Sequence, residues 1–380
     1  MNARARITTS DVDRIRSGPG RFVLSRPHGT VSISQSLAQY RDVTAASSAL
    51  RSNDVGIVAG ALPFARGEAC ALYGASDWSS SPAIWSPNQG ANALPHFDVS
   101  VSDAGAHVDR VRAAVNVLRD GNSALQKVVL ARTLELVARG SVDPVSILAA
   151  LVAGNPSGNG FHVDLSAAGG SYAGRALVGS SPEVLILREG RTISCHPLAG
   201  SAPRYADPDQ DRRRGRELAE SAKDLREHAF VVDAIRDTLA PLCTELDVPS
   251  GPTLTTTPQL WHLGTPVRGT LRSLDTTALD LVLALHPTPA VCGTPTDLAY
   301  EIIDELEGER GFYAGAVGWC TADGDGEWMV SIRCIEIGQS RRTITAYAGG
   351  GIVAESDPDA ELRETITKFG TVMTALGVRS

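Results

Sequence analysis

The stretch that decides the fold runs Phe312-Tyr313-Ala314-Gly315-Ala316-Val317-Gly318-Trp319-Cys320-Thr321, then Ala322-Asp323-Gly324-Asp325-Gly326, then Glu327-Trp328-Met329-Val330-Ser331-Ile332-Arg333-Cys334-Ile335-Glu336-Ile337. Two runs rich in apolar, aromatic and β-branched residues flank a short segment of glycine and aspartate. That pattern predicts strands over 312–321 and 327–337 joined as a hairpin. Upstream, Lys127-Val128-Val129-Leu130-Ala131-Arg132 reads as a short buried strand. Further strands are expected at 171–178, 183–188 and 191–195, and Gly56–Phe64 reads as a strand entering a turn. Period-3.6 patterns predict helices over 106–119, 145–153, 276–285 and 297–307, with one long helix over roughly 210–240. Adjacent strands and hairpins outnumber any repeated strand–helix–strand unit. The expected class is therefore α+β, with large, mostly antiparallel sheets flanked by helices. No repeat or linker interrupts the chain, so 1–380 is expected to form one domain, with 1–105 its motif-free part.

Composition narrows the function. The chain has 380 residues, 43% hydrophobic and 21% charged, enough for a large core. Its net charge is −8, and its one basic block, Arg212-Arg213-Arg214, lies among acids. Nucleic acid and anionic membranes are thus not expected partners. An anionic substrate would have to be held by a few placed cations or a metal. The six cysteines show no CxxC spacing and read as reduced, buried thiols. No apolar run reaches the length of a membrane span and the first residues lack a signal core, so a cytoplasmic location is expected.

The end of the chain carries the densest chemistry. Tyr347-Ala348-Gly349-Gly350-Gly351-Ile352-Val353 is followed by Glu361, Glu364 and Lys368 on a helix. The glycines follow a strand-like segment and precede a helix, a place where backbone N–H groups can approach an anion. At about 100° per residue, Leu362, Ile366, Phe369, Met373 and Leu376 form one apolar stripe, with Glu361, Glu364 and Lys368 opposite. That face could hold a hard cation with an anion, or could be a solvated surface with a Glu364–Lys368 pair. On the long helix expected over 210–240, Glu227 lies opposite Leu218. Lys127, inside an apolar strand, is either an edge residue reaching water or a functional amine. Glu183 follows the Ser180-Ser181-Pro182 turn. It is either a plain turn carboxylate or an acid with a raised pKa.

Seven segments in order resemble the chorismate-utilising enzymes, and most closely isochorismate synthases of the siderophore type. They are Gly179–Glu183, His196–Ala202, Leu260–Leu263, His286–Ala290, Gly311–Cys320, Ile332–Cys334 and Ala348–Val353, spanning about 120–375. The resemblance implies an anthranilate synthase component I-like fold. It implies addition of water at C2 of chorismate as the C4 hydroxyl leaves and the ring double bonds shift. Lys127 is then the base that activates water and Glu183 the acid that protonates the leaving hydroxyl. Mg²⁺ is implied, with Glu227 and Glu364 as closest ligands and Glu361 near, through water. Arg333, Tyr313 and Gly349 would meet the enolpyruvyl carboxylate, while Gly200 and Lys368 complete the ring-carboxylate side. His262 and Thr265 fall in matching segments. His262 is either a substrate hydrogen-bonding group or a satisfied core histidine; His286 also falls in a matching segment, and Cys292 reads as packing. Relatives that use ammonia usually lack the lysine and take ammonia from a glutaminase subunit, so none is expected here. Salicylate synthases tend to have threonine where this chain has Ser201, which favours isochorismate as product. A monomer or weak dimer is expected. The downstream pathway, whether catecholate siderophore, salicylate or menaquinone, stays open.

Overall fold

The computed structural model describes residues 20–87 and 92–378. Two large sheets dominate, and every strand ladder in them is antiparallel. The first is built around Lys127–Ala138 and Thr343–Ile352, which pair over ten positions. It continues through Cys334–Ile337, Ala176–Gly179, Gly160–Asp164 and Phe22–Arg26. The second places Val184–Glu189, Gly326–Val330, Ala316–Thr321 and Ile57–Leu62 side by side. A small third sheet joins Leu198–Pro203, Leu260–Gly264 and Thr253–Thr256. The α+β class expected from the hairpin signals is what forms, and the hairpin itself pairs Trp319 with Glu327 and Cys320 with Gly326.

One apolar core fills the space between the two large sheets, where Phe22, Ile57, Tyr73, Phe161 and Trp328 are buried. A second lies on the outer face of the first sheet, where Leu148, Phe369, Val372 and Met373 from helices Pro144–Ala153 and Pro358–Ala375 meet Ile335 and Ile344. The motif-free N-terminal part is no appendage. Phe22–Arg26 pairs with Gly160–Asp164, and Ile57–Leu62 pairs with Ala316–Thr321. Among the described residues no helix is long and apolar enough to cross a membrane. The first residues, read above as lacking a signal core, lie outside the described part.

Local expectations fail where a capping or backbone choice overrides the pattern. The helix expected over 210–240 is two helices, Pro208–Glu220 and Ala222–Leu239. Ser221 stands between them with extended backbone, and its side chain accepts from Asp224 N. A Ser-x-x-Asp cap starts a new helix there, so Leu218 and Glu227 do not share one wheel. Ala222 and Ala229 of the expected stripe are exposed. The strand expected over 327–337 breaks into Gly326–Val330 and Cys334–Ile337. Arg333 in the gap has φ 53°, a left-handed backbone that cannot continue a strand. The strand expected over 171–178 begins only at Ala176, after a 3₁₀ turn at Gly170–Tyr172. The glycine run belongs to the strand itself: Gly349, Gly350 and Gly351 lie inside Thr343–Ile352, opposite Ala131, Leu130 and Val129.

Candidate active site

A pocket opens where the ends of both large sheets meet the small third sheet. It is lined by Glu183, Gly200, Ser201, Glu227, His262, Tyr313, Arg333, Gly349, Glu364 and Lys368, together with Gly350, Gly351 and Tyr347. Ten of the sequence-predicted site residues thus share one cavity. Lys127, Glu361 and Thr265 stand just behind its walls.

The glycine strand is the floor, and its missing side chains make the site possible. A Cβ on Gly351 would sit 2.1 Å from Glu227 Oε1 and 2.9 Å from Lys127 Cε. On Gly350 it would sit 3.2 Å from Glu361 Oε2 and 3.6 Å from Glu364 Oε1. Real Cβ atoms do not approach within 3 Å of such neighbours, so only glycine lets Glu227 lie on this strand.

Three carboxylates are each met by an ammonium. Lys127 Nζ lies 3.1 Å from Glu227 Oε1, Lys223 Nζ 2.8 Å from Glu361 Oε1, and Lys368 Nζ 2.5 Å from Glu364 Oε1. Lys127 is wholly buried. It does not reach water as an edge residue would, and Glu227 is its ion-pair partner although the pair lacks hydrogen-bond alignment. Lys368 also donates to Gly349 O at 2.7 Å, so the strand contributes a carbonyl at this point. Ser201 Oγ donates to Glu364 Oε1 at 3.2 Å.

The C-terminal helix buries Phe369, Met373 and Leu376 of the expected stripe but not the rest of it. Glu361 and Thr365 are buried, and Ile366 of the expected apolar stripe is 50% exposed. Leu362 is only partly buried. The helix turns its acids toward the cavity rather than toward solvent. Burial and the neighbouring Glu364 charge push the Glu361 carboxyl upward, while Lys368 holds Glu364 down against burial. Glu361 Oε2 is buried without a hydrogen-bond partner. Among the described residues no three Asp, Glu, His or Cys side chains converge on one point. Even so, an orphaned carboxylate oxygen beside a second carboxylate, on a floor cleared by glycine, is a donor set that suits a hard cation.

Glu183 enters from the other sheet, at the mouth of Val184–Glu189. It is 3% exposed, and burial raises its pKa to about 7, opposed by a backbone contact from Leu198 N and by the charges of Lys127 and Lys368. His262 pairs in register with Ser201. Burial, together with the charges of Arg333 and Lys368, holds it well below the usual imidazole range, and its Nε2 has no partner. It is therefore a neutral ring with an open nitrogen beside the cavity. Tyr313 stacks on Tyr347 with ring centres 4.9 Å apart. Arg333 is buried, makes no ion pair among the described residues, and reaches only Lys368 O and Thr371 Oγ1, at 3.5 and 3.4 Å.

Thr265 does not face the pocket. Its Oγ1 is 2.7 Å from His228 Nε2, and His228 Nδ1 is 3.1 Å from Ala199 O. His286 is likewise spent on the backbone, with Nε2 at 3.0 Å from Pro63 O, and Cys292 is buried as packing. Sequence reasoning missed Lys223 and His228. Lys223 lies four residues before Glu227 on the same helix, a spacing that could have flagged it. It also missed Arg310, which donates to Val129 O and Val291 O behind two wall residues while paired with Glu307.

The sequence model of the chorismate binding enzymes matches residues 86–377. A putative isochorismate synthase, MenF, of Mycobacterium tuberculosis is 48% identical over 94% of this chain and 96% of its own. Isochorismate synthase DhbC of Bacillus subtilis is 42% identical over 85% of this chain and 81% of its own. The crystal structure of a putative 2,3-dihydroxybenzoate-specific isochorismate synthase, DhbC, from Bacillus anthracis superposes with a TM-score of 0.87 at 36% identity, covering 97% of this chain and 99% of that one. Family match, sequence identity and fold agree across this set: the chain belongs to the chorismate-binding enzyme family, in its isochorismate synthase branch.

Proposed function

We propose that this chain converts chorismate to isochorismate, an isomerisation in which water adds at C2 while the C4 hydroxyl departs as water and the ring double bonds shift. The observation that carries the reading is Glu183: a buried carboxyl with a pKa of about 7, in a cavity that also holds an uncompensated arginine. An acid poised near neutrality can give a proton to a poor leaving group and recover it. Lys127 comes from the other sheet and, as the free amine rather than the ion-paired ammonium, takes a proton from the attacking water. The two groups exchange roles in the reverse direction.

Arg333 and Tyr313, with the Gly349 backbone, are suited to the enolpyruvyl carboxylate, since a guanidinium can offer two parallel donors. Lys368 and Gly200 serve the ring carboxylate, and Ser201 orients Glu364. His262 offers its open nitrogen to a substrate oxygen. Thr265 acts at one remove, fixing His228 against Ala199. Mg²⁺ would be held by Glu227 and Glu364, with Glu361 near through water, where it would supply a hard positive charge that offsets the ring carboxylate. Water as nucleophile requires no glutaminase subunit, and we take the chain to work as a single-domain monomer or weak dimer.

The test is purified protein with chorismate and Mg²⁺, with isochorismate, salicylate and pyruvate resolved by chromatography. Isochorismate as the main product is expected. No turnover, or salicylate and pyruvate in equal amounts as the main products, overturns the proposal.

A further inference from the structure

Arg333 borders two cavities. Besides the pocket described above, it forms one wall of a separate chamber of about 220 Å³ between helices Pro144–Ala153 and Pro358–Ala375 and the tip of the Thr253–Gly264 hairpin. Only Pro182 and Arg333 belong to both linings. The chamber is smaller than the roughly 300–1,000 Å³ of drug-sized sites, which suits a ligand of few heavy atoms.

Its chemistry is one-sided. Arg333 is the single charged side chain among the described lining residues; the rest are apolar or neutral polar. Ala150, Leu151 and Ala375 give an apolar wall, while Asn155, Thr257, Gln259 and Thr371 give hydrogen-bonding groups. Asn155 and Ser180 are bonded to each other at 2.8 Å. Gln259 accepts from Thr371 at 3.3 Å, and its amide nitrogen has no partner among the described residues. The guanidinium is buried, lacks a carboxylate, and spends one nitrogen on two contacts at the outer limit of hydrogen bonding. A guanidinium has five N–H donors, so most remain for a ligand. One buried cation without an acid selects an anion, and one charge among neutral groups selects a monoanion, because a second negative charge would be desolvated without a partner.

We propose that this chamber binds a small monocarboxylate with an apolar body, which draws on the Arg333 guanidinium from behind and so competes with the substrate carboxylate in front. The competition rests on the role given to Arg333 above; the site itself rests on the chamber. Occupied, it makes Arg333 a shared anchor, and the ligand inhibits without entering the reaction cavity.

Benzoate serves as the probe, titrated calorimetrically into the full-length Mg²⁺-supplied protein. The wild type is expected to bind benzoate and to lose it as chorismate is added. Arg333→Ala should weaken benzoate by more than about tenfold, the value of one charge-assisted hydrogen bond. Thr374→Phe and Ala150→Phe fill the chamber from its two helices. They should abolish benzoate binding while leaving kcat/KM for chorismate within about twofold, as expected for changes away from the reacting groups. Gln259→Leu keeps the shape, gives up only the 3.3 Å bond from Thr371, and should weaken benzoate by roughly threefold or more through loss of one neutral donor. No benzoate binding by the wild type overturns the proposal. So does wild-type benzoate affinity in the filling variants and in Gln259→Leu, which would place the probe in the main cavity. Benzoate behaving as expected in a protein that makes no isochorismate would sink the proposed activity and leave the chamber; normal turnover without benzoate binding would do the reverse.

Discussion

Replacing Glu183 by glutamine preserves its shape and removes its proton, and the structure sets two magnitudes for that change. The first is thermodynamic. Burial lifts the carboxyl from its ordinary 4.5 to about 7. A group whose folded pKa lies above its unfolded value contributes stability fully below pH 4.5, and that contribution is lost as pH rises to about 7. The shift corresponds to on the order of 3 kcal/mol, undiscounted because the side chain is buried. Glutamine cannot ionise, so the variant should gain on the wild type by that amount across the same window. For 380 residues at roughly 2.1 cal/mol/K each, the unfolding entropy is about 0.8 kcal/mol/K, and the difference in Tm should change by ~4 °C. Calorimetry of both proteins from pH 5 to 8 reads it directly, since acid effects elsewhere cancel in the difference.

The second magnitude is kinetic. A positioned general acid contributes about 10²–10⁴-fold, so isochorismate formation should fall by that factor in Glu183→Gln. Microscopic reversibility requires the same fall when the assay starts from isochorismate, and chorismate binding should be retained. In the wild type, kcat/KM should decline above about pH 7 as the acid ionises. A Tm difference that stays flat from pH 5 to 8 refutes the buried, neutral carboxyl. Unimpaired turnover in both directions removes Glu183 from the chemistry.

Lys127→Met keeps the buried stem filled but removes the ammonium; turnover should drop by about 10²–10⁴ with the fold intact, and near wild-type rates would dismiss Lys127 as the base. Glu227→Gln and Glu364→Gln should each weaken Mg²⁺ binding by roughly tenfold or more, read by calorimetry as well as by the Mg²⁺ dependence of the rate, because hard cations depend on carboxylate oxygens. Unchanged Mg²⁺ affinity in both would show that these acids do not hold the metal. Gly351→Ala places a methyl 2.1 Å from Glu227 Oε1, so the Lys127–Glu227 pair must part; we expect turnover to collapse and a stability loss of about 1–3 kcal/mol, and wild-type kinetics would contradict the glycine floor.

What was legible in the sequence was what is local. The 316–330 hairpin and the helices Ala104–Arg119, Pro144–Ala153, Ala278–Leu285 and Thr296–Glu307 each announce themselves within their own short span. Lys127, Glu183 and the Glu361, Glu364 and Lys368 face stood out locally as candidates, but that they gather in one cavity was legible only by resemblance, because no local signal says that Glu183 of one sheet will face Gly349 of the other. The errors have physical causes. On the C-terminal helix the period-3.6 pattern placed Leu362 and Ile366 in an apolar stripe and left the acids between a solvated face and a cation-holding one, since exposure is the ordinary fate of glutamate. Here the polar side faces a cavity, so Glu361 and Thr365 are buried and Ile366 is left half in solvent. Ser221 broke a continuous apolar pattern because a cap outweighs periodicity over a single turn. Arg333 broke a strand with a backbone conformation that its residue type rarely adopts, and that break is what turns its guanidinium between two cavities.

The charge pattern of the site has a further consequence for how it fills. Lys127, Lys223 and Lys368 balance Glu227, Glu361 and Glu364 pair by pair, and Arg333 is left over. With Glu183 protonated and both members of each of the three pairs counted as ionised, the formal charge of the cavity is therefore +1. Chorismate brings two negative charges and Mg²⁺ two positive ones. Either alone leaves the buried cavity with a net charge that burial penalises, −1 with the substrate and +3 with the metal; together they restore the starting value. Substrate and metal should thus bind with positive coupling, of a size usual for linked sites, about 5–150-fold. The coupling must be equal in both directions. Glu183→Gln brings the measurement close to equilibrium, because it binds while turning over about 10²–10⁴-fold more slowly. Chorismate titrated calorimetrically with and without Mg²⁺, and Mg²⁺ with and without chorismate, should give the same ratio of affinities. A ratio of one would mean that the lysines already neutralise the acids for the substrate, and that the metal acts on some other step.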